Sequence, residues 1–370
     1  MHAPIISRGI ANACTALWHQ LLRVFSTAKN YLVNAIRKTK ANSATDLIDA
    51  LAHGGDLDDI RRLLNAGAVV ESTDTDGLTI LHLASLQGHR NLVELLLSHG
   101  AQVNARTLAG SSTLKVAATM GHLAVVTALL EAGAVIDLPA DDGYTPIAVA
   151  AANGHTEVVM LLIQHKACVD IPQNDGATAL TLACDHGLVE ITEILLVAGA
   201  NVNRTDNAGW TPLMSAARHG HSDIIRLLLR NGAPINAKGP QQATALRIAA
   251  EFGHLDATRV LVHSGALLDE KYDDGTTALF IAAGNGHGDV VQLLVNEGAD
   301  MNVQSHSGAT ALLMTAMYNR LEPLRILLDA GADVDLEDSC GWTVLTMAYF
   351  SGYPQLVHLI LERQPALMRN

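Results

Sequence analysis

The sequence predicts an all-α-type repeat solenoid of stacked helix-turn-helix units rather than one or two conventional cores. Three observations lead there. Glycine recurs at positions 77, 110, 143, 176, 209, 275, 308 and 341, a spacing of 33 residues with a single miss at Gln242. With 30 glycines in 370 residues, eight hits in nine prescribed places have a chance probability on the order of 10⁻⁸, so the period belongs to the fold. Two helix-sized apolar patterns fall within every period. Aromatic residues are only 4% of a chain that is 49% hydrophobic, so apolar surface must be buried through many small aliphatic contacts instead of large rings.

Within a unit, the first helix begins two residues after the anchor position, where a hydroxyl always stands: Thr79, Ser112, Thr145, Thr178, Thr211, Thr244, Thr277, Thr310 and Thr343. A hydroxyl there can accept the orphan N–H groups of a first turn, which makes this the N-cap slot. Pro146 and Pro212 follow it directly, where a missing N–H costs nothing. The helix then carries Leu81, Leu114, Ile147, Leu180, Leu213, Leu246, Leu279, Leu312 and Leu345, mostly with alanine three residues later, small enough for neighbouring helices to approach closely. A second glycine series, Gly88 to Gly352, marks the next turn. The second helix carries pairs such as Leu96-Leu97, Leu195-Leu196 and Leu228-Leu229 and stops at a Gly-Ala step, where glycine fits a left-handed terminus.

The unit G-x-T-P-L-x-x-A-A-x-x-G-H … L-L-x-x-G-A-x-x-N is plain in GYTPIAVAAANGHTEVVMLLIQHKA (143–167) and GWTPLMSAARHGHSDIIRLLLRNGA (209–233), and it resembles the ankyrin repeat over roughly residues 44–370. The resemblance implies about ten repeats, short β-hairpin fingers between helix pairs, and a curved array whose fingertips and first-helix ends line a concave binding face. It divides the chain into a basic N-terminal segment (1–42), a divergent N-terminal capping repeat (43–75), eight repeats (76–338) and a C-terminal capping repeat (339–370). The N-terminal cap lacks the anchor glycine and carries Asp49, Asp56, Asp58, Asp59, Arg61 and Arg62, suited to a solvated end. Gln355, His358, Glu362, Arg363 and Gln364 dilute the last helix in the same way.

Some positions depart from the pattern. The histidine of T-P-L-H survives only as His82; later units place Lys115, Ala148, Thr181, Met214, Arg247, Phe280, Leu313 and Thr346 there. The family's histidine links adjacent repeats, so its loss implies weaker coupling. Lys166 and Asn319 occupy glycine slots, and KGPQQAT (238–244) lacks the anchor glycine, so a reshaped finger is expected there.

Chemistry is sparse. Lys and Arg number 24 against 37 Asp and Glu, a net charge of −13, which argues against general binding to nucleic acid. Cys14, Cys168, Cys184 and Cys340 show neither pairing nor metal-ligand spacing and read as reduced thiols in a cytoplasmic protein. His89, His122, His155, His221, His254 and His287 repeat with the period. Stacked helices stand about 8–10 Å apart, too far for these side chains to share an ion, so turn hydrogen bonding is their expected role. Asp141-Asp142 and Asp273-Asp274 precede anchor glycines and read as turn residues. No nucleotide, hydrolase or zinc-protease motif is present, and we expect no enzyme, cofactor or metal.

Function is therefore sought in the slots that stacking leaves free: two and one residues before the anchor glycine, one after, and nine and ten after. Of ten aromatics beyond residue 45, six occupy these slots, where chance would place roughly 1.5. They are Tyr144, Trp210, Phe252, Tyr318, Trp342 and Phe350. Arg218 and His219 join them as candidate partner-binding residues, with Met120, His186 and Met317 alongside. Phe252, Tyr318 and Phe350 could instead cover their neighbours, and Trp342 could pack the C-terminal end. Carboxylates share the slots, so the expected partner is a protein with a basic or mixed patch around an apolar anchor, bound by a monomer.

Residues 1–42 match no repeat. Arg8, Arg23, Lys29, Arg37, Lys38 and Lys40 face no acid before residue 46, and Cys14, Leu17, Trp18, Leu21, Phe25, Leu32 and Ile36 follow helical spacing. A membrane-surface helix, a mitochondrial targeting segment and a helix docked on the first repeat all fit this pattern. The first two make a membrane- or organelle-targeted adaptor the alternative to a cytoplasmic one.

Overall fold

The computed structural model describes residues 57–363 together with Leu47 and Ile48. The basic segment 1–42, residues 43–46 and 49–56 of the N-terminal capping repeat and residues 364–370 lie outside the described residues. Nineteen α-helices and no sheet form among the described residues, in two compact bodies that divide after Val135.

The N-terminal body holds α1 (Leu57–Asn65), α2 (Ile80–Gln87), α3 (Arg90–Ser98), α4 (Thr113–Thr119) and α5 (Leu123–Glu131). Here α2 packs on α3 and α4, and α3 on α1 and α5. The C-terminal body holds seven first helices: α6 (Pro146–Ala152), α8 (Ala179–Asp185), α10 (Pro212–Arg218), α12 (Ala245–Glu251), α14 (Ala278–Asn285), α16 (Ala311–Met317) and α18 (Val344–Phe350). Their second helices are α7 (Thr156–Gln164), α9 (Val189–Val197), α11 (Ser222–Arg230), α13 (Leu255–His263), α15 (Gly288–Asn296), α17 (Leu321–Asp329) and α19 (Pro354–Arg363). Within this body each first helix packs on its own second helix and on its neighbouring first helices, and the second helices pack on one another in a second layer.

The local chemistry follows the sequence closely. All nine N-cap hydroxyls accept the N–H three residues on, at 3.1–3.4 Å. Such a cap stabilises its helix by about 1 kcal/mol. Leu180, Leu213, Leu246, Leu279 and Leu312 are buried together with Ala183, Ala216, Ala249 and Ala282 in the first-helix layer, and Leu162, Leu195, Leu228, Leu261, Leu294 and Leu327 in the second. Burying one leucine contributes about 1.5–3 kcal/mol, so the core is an even sum of modest contributions along the array.

The fingers are shorter than the β-hairpins implied by the resemblance. In each, one turn closes with two main-chain bonds. Gly209 N–H donates to Asp206 O and Asp206 N–H to Trp210 O, both at 3.0 Å, with Gly209 at φ +86°. That is a type I turn followed by a left-handed residue, which glycine adopts without strain. Pairing stops there because the chain enters the next helix one residue later; among the described residues only isolated bridges, Thr73–Thr79 and Arg106–Ser112, go further.

Successive fingertips of the C-terminal body are tied by one main-chain bond each: Asn174 N–H to Asp142 O (3.4 Å), Asn207 to Asp175 (2.8 Å), Asp273 to Gln241 (3.1 Å), His306 to Asp274 (2.8 Å) and Ser339 to Ser307 (2.8 Å). The next donor in this register after Asn207 is Pro240, which has no N–H. The ladder therefore breaks between the fingers of Gly209 and Gln242. The Gln242 finger is reshaped as expected into a 3₁₀ turn (Pro240–Gln242), with Gln241 and Gln242 both at positive φ. Lys166 and Asn319 take the left-handed conformation of the glycines they replace, at φ +70° and +55°.

The periodic histidines reach beyond their own turns, which corrects the expected role. His122 Nε2 lies 3.0 Å from Leu86 O in the N-terminal body. In the C-terminal body His221 meets Asp185 O (3.3 Å), His254 meets Arg218 O (2.9 Å) and His287 meets Glu251 O (3.0 Å). A carbonyl only accepts, so Nε2 carries the proton. Arg320 Nε donates to Gly284 O at 3.0 Å from the equivalent place. These bonds latch five of the units to the end of the preceding first helix; Leu188 holds the equivalent place in another and makes no such bond. His82 adds the contact implied by the resemblance, to Ser111 O at 3.1 Å. Loss of that histidine elsewhere thus leaves a second series of couplings intact.

Candidate functional site

All eight candidate residues lie in the C-terminal body, at the finger bases and the ends of first helices. Trp210 and Trp342 directly precede N-cap threonines, and their N–H groups donate to Asp206 Oδ1 (2.8 Å) and Asp338 Oδ1 (2.9 Å). Tyr144 N–H donates to Asp142 Oδ1 at 2.9 Å. Asp142 and Asp274 thus serve as turn acceptors, the latter taking the Thr276 N–H at 3.0 Å. Arg218 ends α10, His219 and Phe252 cap α10 and α12, Tyr318 caps α16 and Phe350 ends α18.

Four of the eight converge. The Arg218 guanidinium carbon lies 5.6 Å from the centre of the Trp210 ring and 5.9 Å from that of Phe252, so one cation is flanked by rings from two successive units. Each such contact is worth about 0.5–2 kcal/mol, depending on desolvation. Phe252 stacks on His254 (6.2 Å, 16°), and His254 holds the Arg218 carbonyl, which fixes both helix ends. Beside them His219 Nε2 pairs with Asp185 Oδ1 at 3.1 Å and stacks on His221 at 5.9 Å. Burial alone would raise the Asp185 carboxyl, but the hydrogen bond and charge of His219, with His186 and Arg218 nearby, hold it below its usual range. Burial lowers His221, favouring the neutral ring that the latch uses.

Trp342 and Phe350 form a second group in the last unit, edge to face at 5.1 Å, with Tyr349 against Phe350 at 5.4 Å. Phe350 is 71% exposed and Tyr349 69%. Packing of Trp342 at the end of the array and an exposed ring surface are therefore both present. Tyr318, 51% exposed, lies 3.8 Å from where a Cβ on Gly284 would stand. Tyr144 stands two units ahead of Trp210.

One group escaped the sequence reading. Arg247 is buried in the slot vacated by the histidine, its guanidinium carbon 3.9 Å above the Tyr272 ring and Nη1 2.9 Å from Glu251 Oε2. Its Nε has no hydrogen-bond partner among the described residues. Burial raises the Tyr272 hydroxyl above its ordinary value. Tyr272 sits three residues before its anchor glycine, outside the slots taken as free. The available signal was two oversized residues at positions that face each other across one junction.

Among the described residues no three His, Cys, Asp or Glu side chains are grouped to hold a metal ion, and no helix is long and apolar enough to cross a membrane.

The family model described as ankyrin repeats (3 copies) matches residues 47–140, 134–206, 193–272, 239–305 and 279–369. The crystal structure of the human ASB11 ankyrin repeat domain is similar at 30% sequence identity and a TM-score of 0.54, covering 60% of this chain and 98% of that one. No curated protein matches the sequence.

Proposed function

The chain belongs to the ankyrin-repeat family, whose arrays are in general protein–protein interaction modules and typically non-enzymatic scaffolds, and from that premise we propose that it captures a protein partner on the face lined by the fingers and first-helix ends of the C-terminal body. Trp210, Arg218, His219 and Phe252 form the centre of this surface. Tyr144, Tyr318, Trp342 and Phe350 extend it on either side. The observation that carries the reading is the Trp210–Arg218–Phe252 stack: tryptophan, arginine and a further ring gathered at one junction are the residue types that dominate interface energetics. Exposed carboxylates such as Asp141, Asp142, Asp175 and Asp273 stand on the fingers of the same body, favouring a partner of mixed charge.

Affinity capture with the whole chain, identified by mass spectrometry, tests the proposal against a Trp210→Ala/Phe252→Ala/Tyr318→Ala variant. The expected result is loss of the captured partner by a variant that still folds, with a melting temperature lowered only by the lost ring contacts. Equal capture by both forms would remove the site assignment.

A further inference from the structure

The guanidinium of Arg218 is ready for a ligand it does not have in the chain itself. Arg226, Arg247, Arg259, Arg325 and Arg363 each hold a carboxylate, at 2.5–3.0 Å. Arg218, like Arg204 and Arg230, has no carboxylate at ion-pair distance among the described residues; it differs from them in its two ring contacts, and its charge acts on Asp185 only from farther off. The carboxylate on which its charge acts, Asp185, is bonded by His219 at 3.1 Å. A guanidinium is planar with five N–H donors in a fixed fork, and ring contacts at 5.6 and 5.9 Å favour the orientation of the side chain without consuming those donors. Order of this kind, established before binding, is what makes bidentate recognition of a carboxylate strong.

The junction that carries this arginine is also the one where the fingers part. At Gly143, Gly176, Gly275 and Gly308 a Cβ would stand 2.6–2.9 Å from a main-chain nitrogen of the next finger. At Gly209 the nearest atom of the next finger is 3.9 Å away, on Pro240. Pro240 also withholds the N–H that the ladder would deliver to Ala208 O. The missing ladder bond and the cation without a carboxylate thus occur together, between the units of Gly209 and Gln242.

Building on the partner-capture reading, we propose that Arg218 receives the carboxylate of an acidic side chain in a peptide segment of the partner, while an adjacent apolar side chain of that segment lies against Trp210 and Phe252. The occupant is an extended segment of acidic-hydrophobic character. Within a partner of mixed charge, the basic groups face the finger carboxylates and the acidic one is held at the centre.

A displayed library of random dodecapeptides, selected on the whole chain, tests this directly. Selected peptides should carry Asp or Glu beside an aromatic or aliphatic residue. Changing that acid to its amide should weaken binding at least tenfold for the native chain and less than threefold for Arg218→Met; Arg218→Lys, which keeps the charge but not the fork, should fall between. Circular dichroism melts of the variants control for folding. If the peptides need Trp210 and Phe252 but carry no acid, or if the amide change costs the same in Arg218→Met, the carboxylate assignment is overturned while the capture surface stands. If no selected peptide depends on Trp210 and Phe252, both fail.

Discussion

Replacing Gly253 by alanine tests how the units are latched. The glycine is at φ +74°, where an L-residue costs about 1–2 kcal/mol. Its added Cβ would also stand 2.5 Å from Nδ1 of His287, closer than atoms can remain, so the ring must leave its place. Displacing it breaks the 3.0 Å bond from His287 Nε2 to Glu251 O. A net hydrogen bond is worth about 0.5–1.5 kcal/mol. The low half of that range applies, because Asn285 Nδ2 still donates to the same carbonyl at 2.8 Å. The expected total is about 1.5–3 kcal/mol. Gly265 is the control: at φ +92°, with nothing within 4 Å of its added Cβ, Gly265→Ala should cost the conformational part alone, about 1–2 kcal/mol. Urea denaturation followed by far-ultraviolet circular dichroism measures both. In a His287→Ala background the extra loss at Gly253 should vanish, leaving the two alanine variants alike. Equal losses at Gly253 and Gly265 in the native background, or an extra loss that persists without His287, would refute the latch.

Three further outcomes are expected. Lys166 is exposed at φ +70°, so Lys166→Gly should raise stability by about 0.5–1 kcal/mol in the same urea assay; a lower midpoint would mean that the lysine makes a contact worth more than its strain. Burial holds His82 and His221 below the ordinary imidazole value of 6.5, so the unfolded chain binds protons first: their contribution is complete above about pH 6.5 and is lost as pH falls through the lowered folded values. The urea midpoint should therefore drop between pH 7 and pH 5 more steeply than in a His82→Gln/His221→Gln chain, and parallel profiles would contradict the assignment. Arg247→Met should change stability by less than about 1 kcal/mol or increase it, since it removes a buried, incompletely bonded cation and leaves Glu251 with solvent access; a loss above about 2 kcal/mol in thermal melts would show that the Tyr272 stack outweighs desolvation.

What the sequence made legible was whatever the period repeats. N-cap hydroxyls, buried leucines and alanines, and turn glycines are demanded by local backbone geometry, and identical demands recur every 33 residues, so noise averages out. The left-handed lysine at 166 was legible for the same reason, as an exception to a rule stated eight times over. Contacts between units were harder. The histidines were visible as a series, but their 36-residue reach to a carbonyl is set by how two helix pairs lie together, which no single unit encodes. The aromatic slots located Trp210, Arg218 and Phe252 without indicating that the arginine sits between the two rings. Pro240 was visible only as part of an irregular finger; that it removes one donor from a ladder requires knowing that the ladder exists. Tyr272 was missed because its slot is normally filled by a residue that serves its own turn, as Asp206 does.

The latch that joins the units ends on main-chain carbonyls, and so does the fingertip ladder. A carbonyl is present whatever side chain its residue bears, so a unit can be joined to a new neighbour without the two sequences having been adjusted to each other. Arrays of this kind can be lengthened, shortened or reordered by duplication and recombination while their junctions keep working. Residues such as Arg218 and Phe252, whose carbonyl or neighbouring histidine does the joining, are left free to diverge in their side chains. The chain can thus acquire a new recognition surface by ordinary substitution without renegotiating how it is held together.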